Sequence, residues 1–116
     1  MKKVLWLSRH EMTSEQEETL GRLAMDEIEI IKVDRTVSAA EEVIKLADDF
    51  QCDILAVVLP VGLLSKVYEL KGDRALISAR SKRELVKVDG EESKVAFKFD
   101  GWEVWDKVVI KSHIFY

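Results

Sequence analysis

The chain has 116 residues, 47% of them hydrophobic and 34% charged, with a formal net charge of −4. That balance excludes a disordered chain and fits one globular domain, residues 1–116, with a core of its own. It also argues against a surface built for long nucleic acid, which is usually basic, while leaving room for a local basic pocket.

Met1-Lys2-Lys3 precedes an unbroken apolar run, Val4-Leu5-Trp6-Leu7. The run is too short for a signal peptide and reads as a central strand buried on both faces. Ser8-Arg9-His10 follows directly. Thr13 then opens a helix, and Gln16 completes a capping box with it. Leu20, Leu23 and Ala24 share one face of that helix, and Glu15, Glu17, Glu18 and Arg22 share the other. Glu27 to Val33 reads as a second strand, nearer an edge because its apolar and charged residues alternate. Ser38 with Glu41 repeats the capping-box pattern before a helix that runs to about Phe50.

Cys52 stands just before the most apolar stretch, Ile54 to Leu59. As the only cysteine it excludes an intrachain disulfide and a cysteine zinc cluster, and it reads as a small packing residue. Pro60, the only proline, stops this third strand. Val61 to Leu70 fits a third helix, closed by Lys71-Gly72-Asp73. Arg74 to Ala79 is a fourth strand. Leu85 to Val88 and Lys94 to Phe99 then alternate around Asp89-Gly90 as a hairpin, with Asp100-Gly101 expected as a second turn. Trp102 to Trp105 and Lys107 to Phe115 alternate again. Strands taking turns with helices imply a parallel sheet with right-handed crossovers, so the expected fold is α/β, a Rossmann-like βαβαβαβ sheet with an antiparallel C-terminal extension. Strand orders 3-2-1-4 and 2-1-3-4 are both compatible. No stretch approaches a membrane span, and the cytoplasm is the default expectation.

In open α/β sheets, ligands bind outside the carboxyl ends of the strands. The first strand would bring Ser8, Arg9 and His10 to that rim. The third would bring Pro60, and the fourth Ser78, Arg80, Ser81, Lys82 and Arg83. The helix N-termini after Thr13 and Pro60 would aim free amides at the same place. Each basic residue alone fits a solvated turn. Together on an acidic protein they favour a phosphate or other oxyanion. Glycine is scarce, and no dinucleotide fingerprint follows the first strand, so NAD or ATP in the usual manner is not expected. His113 reads as a packing or surface residue. Two distant histidines make a poor metal set, and no cofactor is implied. Trp102 and Trp105 should point to opposite faces of their strand, for burial or a dimer seam.

Ser8-Arg9-His10-Glu11-Met12-Thr13-Ser14-Glu15-Gln16 and Val58-Leu59-Pro60-Val61-Gly62-Leu63-Leu64 resemble the small Rossmann-like ring nucleases of type III CRISPR systems. In that group a strand is followed by histidine, threonine and a Glu-Gln helix start, or a Leu-Pro-Val turn precedes a Leu/Ala-rich helix. Glu11 departs from the pattern, which favours a small or apolar residue there, and the chain from Arg83 onward has no counterpart. The resemblance implies a homodimer around a cyclic oligoadenylate, cut without metal by attack of a ribose 2′-hydroxyl on the neighbouring phosphate. His10 would be the acid/base, since histidine is the residue type that titrates near neutral pH. Arg9, Arg80 and Arg83 would stabilise charge. Ser8 and Ser78 would donate hydrogen bonds, with Pro60 and Lys82 completing the ligand contacts. The alternative is a non-catalytic nucleotide sensor or protein-interaction subunit on the same fold.

Overall fold

Four apolar runs are short enough and β-branched enough to form strands, and the amphipathic stretches between them return the chain to the same sheet edge. In a computed structural model the described residues are 1–88 and 92–105, without the side chains of 83–88 and 92–97. The expected tail strand Lys107 to Phe115, with His113, lies outside them. The elements are β1 (Lys2–Leu7), α1 (Ser14–Ala24), β2 (Ile28–Val33), α2 (Ala40–Phe50), β3 (Ile54–Val57), α3 (Val61–Leu70), β4 (Ala75–Val88) and β5 (Glu92–Val104). They build one five-stranded sheet of order β2-β1-β3-β4-β5. β1 to β4 run parallel and β5 pairs antiparallel to β4. The α/β, Rossmann-like expectation therefore holds, and of the two strand orders 2-1-3-4 is the one formed. Among the described residues, no helix is long and apolar enough to cross a membrane.

Alternation along the central strands divides the core in two. Leu5, Leu7, Leu55, Val57 and Leu76 pack with Val43, Leu46 and Ala47 of α2 and Leu64 and Val67 of α3. Val4, Trp6, Ile54, Ala56 and Ile77 pack with Leu20 and Ala24 of α1. Cys52 is buried in the first of these layers. Trp102 joins the α1 layer and Trp105 the other, the opposite-face placement their spacing implied.

α1 begins as expected. The Thr13 side chain accepts from the Gln16 amide at 3.2 Å, and the Gln16 side chain accepts from the Thr13 amide at 2.9 Å. Thr13→Ala should lower stability by about 1 kcal/mol in chemical denaturation, with an unchanged denaturant slope. α2 differs from expectation. Its N-cap is Ala39, with no side-chain cap, and the Ser38 hydroxyl instead bonds the Glu42 carboxylate at 3.0 Å. With Glu41 and Glu42 adjacent, the capping-box spacing fits two registers, and the chain enters the helix one residue later than Ser38 would set it.

Two further expectations fail in the last third. β4 does not stop at Ala79. Only Ala75 to Ile77 pair with β3, and the strand continues past the carboxyl edge with β5 as its partner to Val88. Asp100-Gly101 is not a turn. Both residues lie within β5 as an extra step opposite Arg80, since Ala79 pairs Trp102 while Ser81 pairs Phe99. Gly101 has φ +93, a value that L side chains rarely adopt, which is why glycine sits at this bulge. The hairpin around Asp89-Gly90 does form, with Val88 paired to Glu92, and residues 89–91 lie outside the description.

Candidate anion site at the carboxyl edge of the sheet

β1 sends its connection one way to β2, and β3 lies on its other side, so the two loops diverge above the β1/β3 boundary. Divergence of this kind opens the crevice where α/β sheets bind ligands. A hollow of about 640 Å³ lies there. Its lining comes from three loops: Ser8, Arg9 and His10 after β1, Asp34, Arg35, Thr36 and Val37 after β2, and Val58, Leu59 and Pro60 after β3.

The first loop is held by its backbone. The Ser8 amide donates to the Val33 carbonyl at 3.2 Å, and the Ser8 hydroxyl accepts from the His10 amide at 3.1 Å. The Trp6 indole donates to the His10 carbonyl at 2.7 Å. Both backbone groups of His10 are thus engaged while its imidazole stays exposed. Glu11, the residue that departs from the ring-nuclease pattern, pairs with Lys32 of β2 at 2.9 Å and does not line the hollow. Among the described residues, no hydrogen bond or ion pair engages the side chains of Arg9, His10, Asp34 or Arg35.

The helices differ in what their N-termini offer. α1 is capped by Thr13 and carries Glu15 and Glu17 in its first turn. α2 has no cap but carries Glu41 and Glu42. α3 has neither a side-chain cap nor an acidic residue in its first turn, and its N-cap, Pro60, lines the hollow. The partial positive charge of that end is therefore left for an anion, alongside two guanidinium groups.

The residues expected at the rim are only partly brought together. Ser8, Arg9, His10 and Pro60 line the hollow. Ser78, Arg80 and Lys82 do not, because β4 carries them up the hairpin arm and not around a loop. The Ser78 hydroxyl accepts from the Trp105 indole at 3.1 Å, and Arg80 faces Asp100 at 3.8 Å. The Arg83 side chain lies outside the described residues. The sequence reading missed Asp34, Arg35 and Thr36. They follow a strand end as directly as Ser8 does, so the rule applied to the other strands would have found them. Among the described residues, no three of His, Cys, Asp and Glu gather as a metal set.

A larger hollow of about 840 Å³ opens at the amino ends of the strands. Its charges are mostly committed. Asp53 accepts from the Lys3 amide at 3.0 Å, the Met1 amine pairs with Asp26 at 3.3 Å, and Lys71 donates to the Arg74 carbonyl at 2.9 Å. Arg74 joins the Asp48 carboxylate to the Cys52 carbonyl. We read this end as structural. Cys52 lines it, and burial, with the charge of Asp53, pushes the thiol above its ordinary 9.0. A raised folded value means a stability contribution fully present below the ordinary thiol range and lost as pH climbs through the raised value. Denaturation midpoints should therefore decline above about pH 9, and Cys52→Ala should flatten that decline.

Comparison with family models, curated proteins and solved structures returned no match.

Proposed function

We propose that the carboxyl-edge hollow binds a ribonucleotide phosphodiester, and that the chain is a cytoplasmic, metal-independent ring nuclease acting on cyclic oligoadenylate. One observation carries this reading: Arg9, Arg35 and His10 line the same hollow as Pro60, the N-cap of α3, with no partner of their own among the described residues. Unpaired guanidinium groups beside free helix amides suit a phosphate, which accepts bidentate hydrogen bonds and neutralises both.

In the proposed reaction the ribose O2′ attacks the adjacent phosphorus in line, and the P–O5′ bond breaks. The proton leaving O2′ passes to solvent water, and one is delivered to O5′, so the step is proton-neutral overall. The products are a 2′,3′-cyclic phosphate end and a 5′-hydroxyl end. Arg9, Arg35 and the α3 amides offset the charge on the phosphorane, and His10 supplies the proton to the leaving oxygen. A homodimer would present two such hollows to one ring. Ser8 enters as a hydrogen-bond donor within the hollow, and Arg80 and Lys82 as contacts to outlying phosphates from the hairpin arm.

The test is incubation of labelled cyclic tetra-adenylate with the pure protein, with product ends identified by mass. Linear products ending in a 2′,3′-cyclic phosphate are expected. Bound ligand at a hundredfold excess over its Kd should also add about 2.7 kcal/mol to stability, read as a rise in melting temperature. Stabilisation without products would favour the sensor reading. Neither effect would refute both.

A further inference from the structure

The hairpin arm of β4 and β5 contains a pairing that folding alone does not favour. Lys82 and Lys98 are direct cross-strand partners, and both are exposed. Like charges directly opposite each other repel and destabilise the pair of strands that carries them. Among the described residues neither lysine has a hydrogen-bond or ion-pair partner, and Arg80 faces Asp100 at 3.8 Å. Alternation decides which way these cations stand. Leu76 packs in the layer with α2 and α3, and the Ser78 hydroxyl accepts from Trp105 of that same layer, while Ile77 and Ala79 belong to the α1 layer. The extra residue of the bulge lies on β5, so Arg80 and Lys82 continue the even positions of β4, and the register puts Lys98 with them. All three share the side of the sheet that carries α3, whose N-cap Pro60 lines the anion hollow. Only β3 separates β1 from β4, so the base of the arm is about 10 Å from the loop of Arg9 and His10. Lys82 stands about 13 Å above the level of Leu7. A mononucleotide in the hollow does not span that gap, and a short oligonucleotide does.

We propose that Lys82, Lys98 and Arg80 form a second phosphate site on the arm, which grips a single-stranded oligonucleotide again, several residues along its backbone from the phosphate held in the hollow. Repulsion between the two lysines is then relieved by the ligand and not by the fold. The chain as a whole is acidic, so cations gathered at one edge suit a short oligonucleotide and do not make a surface for long nucleic acid. This assignment extends the nucleotide reading of the hollow and is independent of cleavage.

The experiment is calorimetric titration of the full chain, over a range of salt, with ADP and with a 2′-O-methyl oligoadenylate of about eight residues, whose blocked 2′-oxygens prevent cleavage. Wild type should bind the oligomer about tenfold more tightly than ADP. The double variant Lys82→Gln, Lys98→Gln should remove most of that gain and leave ADP binding unchanged. It should also flatten the plot of log affinity against log salt by about 0.7, the value for one neutralised phosphate. Lys98→Glu sets opposite charges across the arm, so it should melt later than wild type and yet bind the oligomer more weakly than the double variant does. A structural contact would move stability and affinity together. Equal wild-type affinity for the two ligands, or undiminished oligomer binding by the double variant, overturns the assignment. So does a Lys98→Glu variant that binds weakly and melts early. Oligomer bound through the lysines without any ADP binding keeps the arm site and removes the one in the hollow. Absence of binding by either ligand removes both.

Discussion

His10→Ala should reduce ring cleavage by about 10²- to 10⁴-fold, equivalent to about 3–5 kcal/mol of barrier, with little change in stability. The two halves of that expectation have separate origins. The loss follows from the role: without the imidazole no side chain of the first loop can hand a proton to the leaving oxygen. The unchanged stability follows from how the loop is held. The Ser8 hydroxyl binds the His10 amide, and the Trp6 indole binds its carbonyl. Both bonds survive the substitution, and the exposed side chain contributes no core packing. Surface changes of this kind stay within about 0.5 kcal/mol. Single-turnover cleavage and a melting curve on the same preparation check both. A variant that cuts as fast as wild type would remove His10 from the mechanism, and one that also melts much earlier would make its activity uninformative.

Leu55→Ala should cost about 2–5 kcal/mol, a fall in melting temperature on the order of 10 °C or more. β3 has β1 on one side and β4 on the other, and Leu55 is fully buried in the layer shared with α2 and α3. Those neighbours belong to strands and helices that cannot close around the void without breaking ladder bonds, so much of the cavity should persist. The loss is a large fraction of the roughly 5–15 kcal/mol typical of a domain. Val58, three residues on, is 68% exposed, and Val58→Ala is the matched control with an expected change within about 0.5 kcal/mol. Equal melting temperatures for the two variants would contradict the burial pattern of β3.

The sequence made the parallel core legible because local and tertiary preferences agree there. Val4 to Leu7 and Ile54 to Val57 are apolar on both faces, as strands covered on both faces must be. Pro60 and the Thr13–Gln16 box mark helix starts by backbone chemistry that tertiary contacts do not override. Beyond Ser78 the agreement ends. Arg80, Ser81 and Lys82 are exposed because the described part of β4 above Ile77 is paired with β5 alone, and an uncovered strand has no need of apolar residues. Its composition therefore imitates a loop. Asp100-Gly101 misled in a similar way, since the residues that suit a hairpin turn also suit a bulge. For the site, Ser8, Arg9, His10 and Pro60 were legible from strand ends alone. The contribution of β2 depended on its lying next to β1, which a choice between strand orders left open.

The tryptophan pair ties together the two ends of the chain. Trp102 donates to the Gln16 carbonyl at 3.1 Å and stands edge-on to Trp6 at 5.8 Å, and Phe99 meets Trp102 at 5.6 Å. Trp6 is also the residue that fastens the His10 carbonyl. The loop after β1 is thus braced by Trp102, 96 positions beyond Trp6 along the chain, so its final setting waits on the pairing of β5. A fragment ending before residue 99 would keep its helices and most of its ladder, yet leave one edge of Trp6 bare and its loop loosely set.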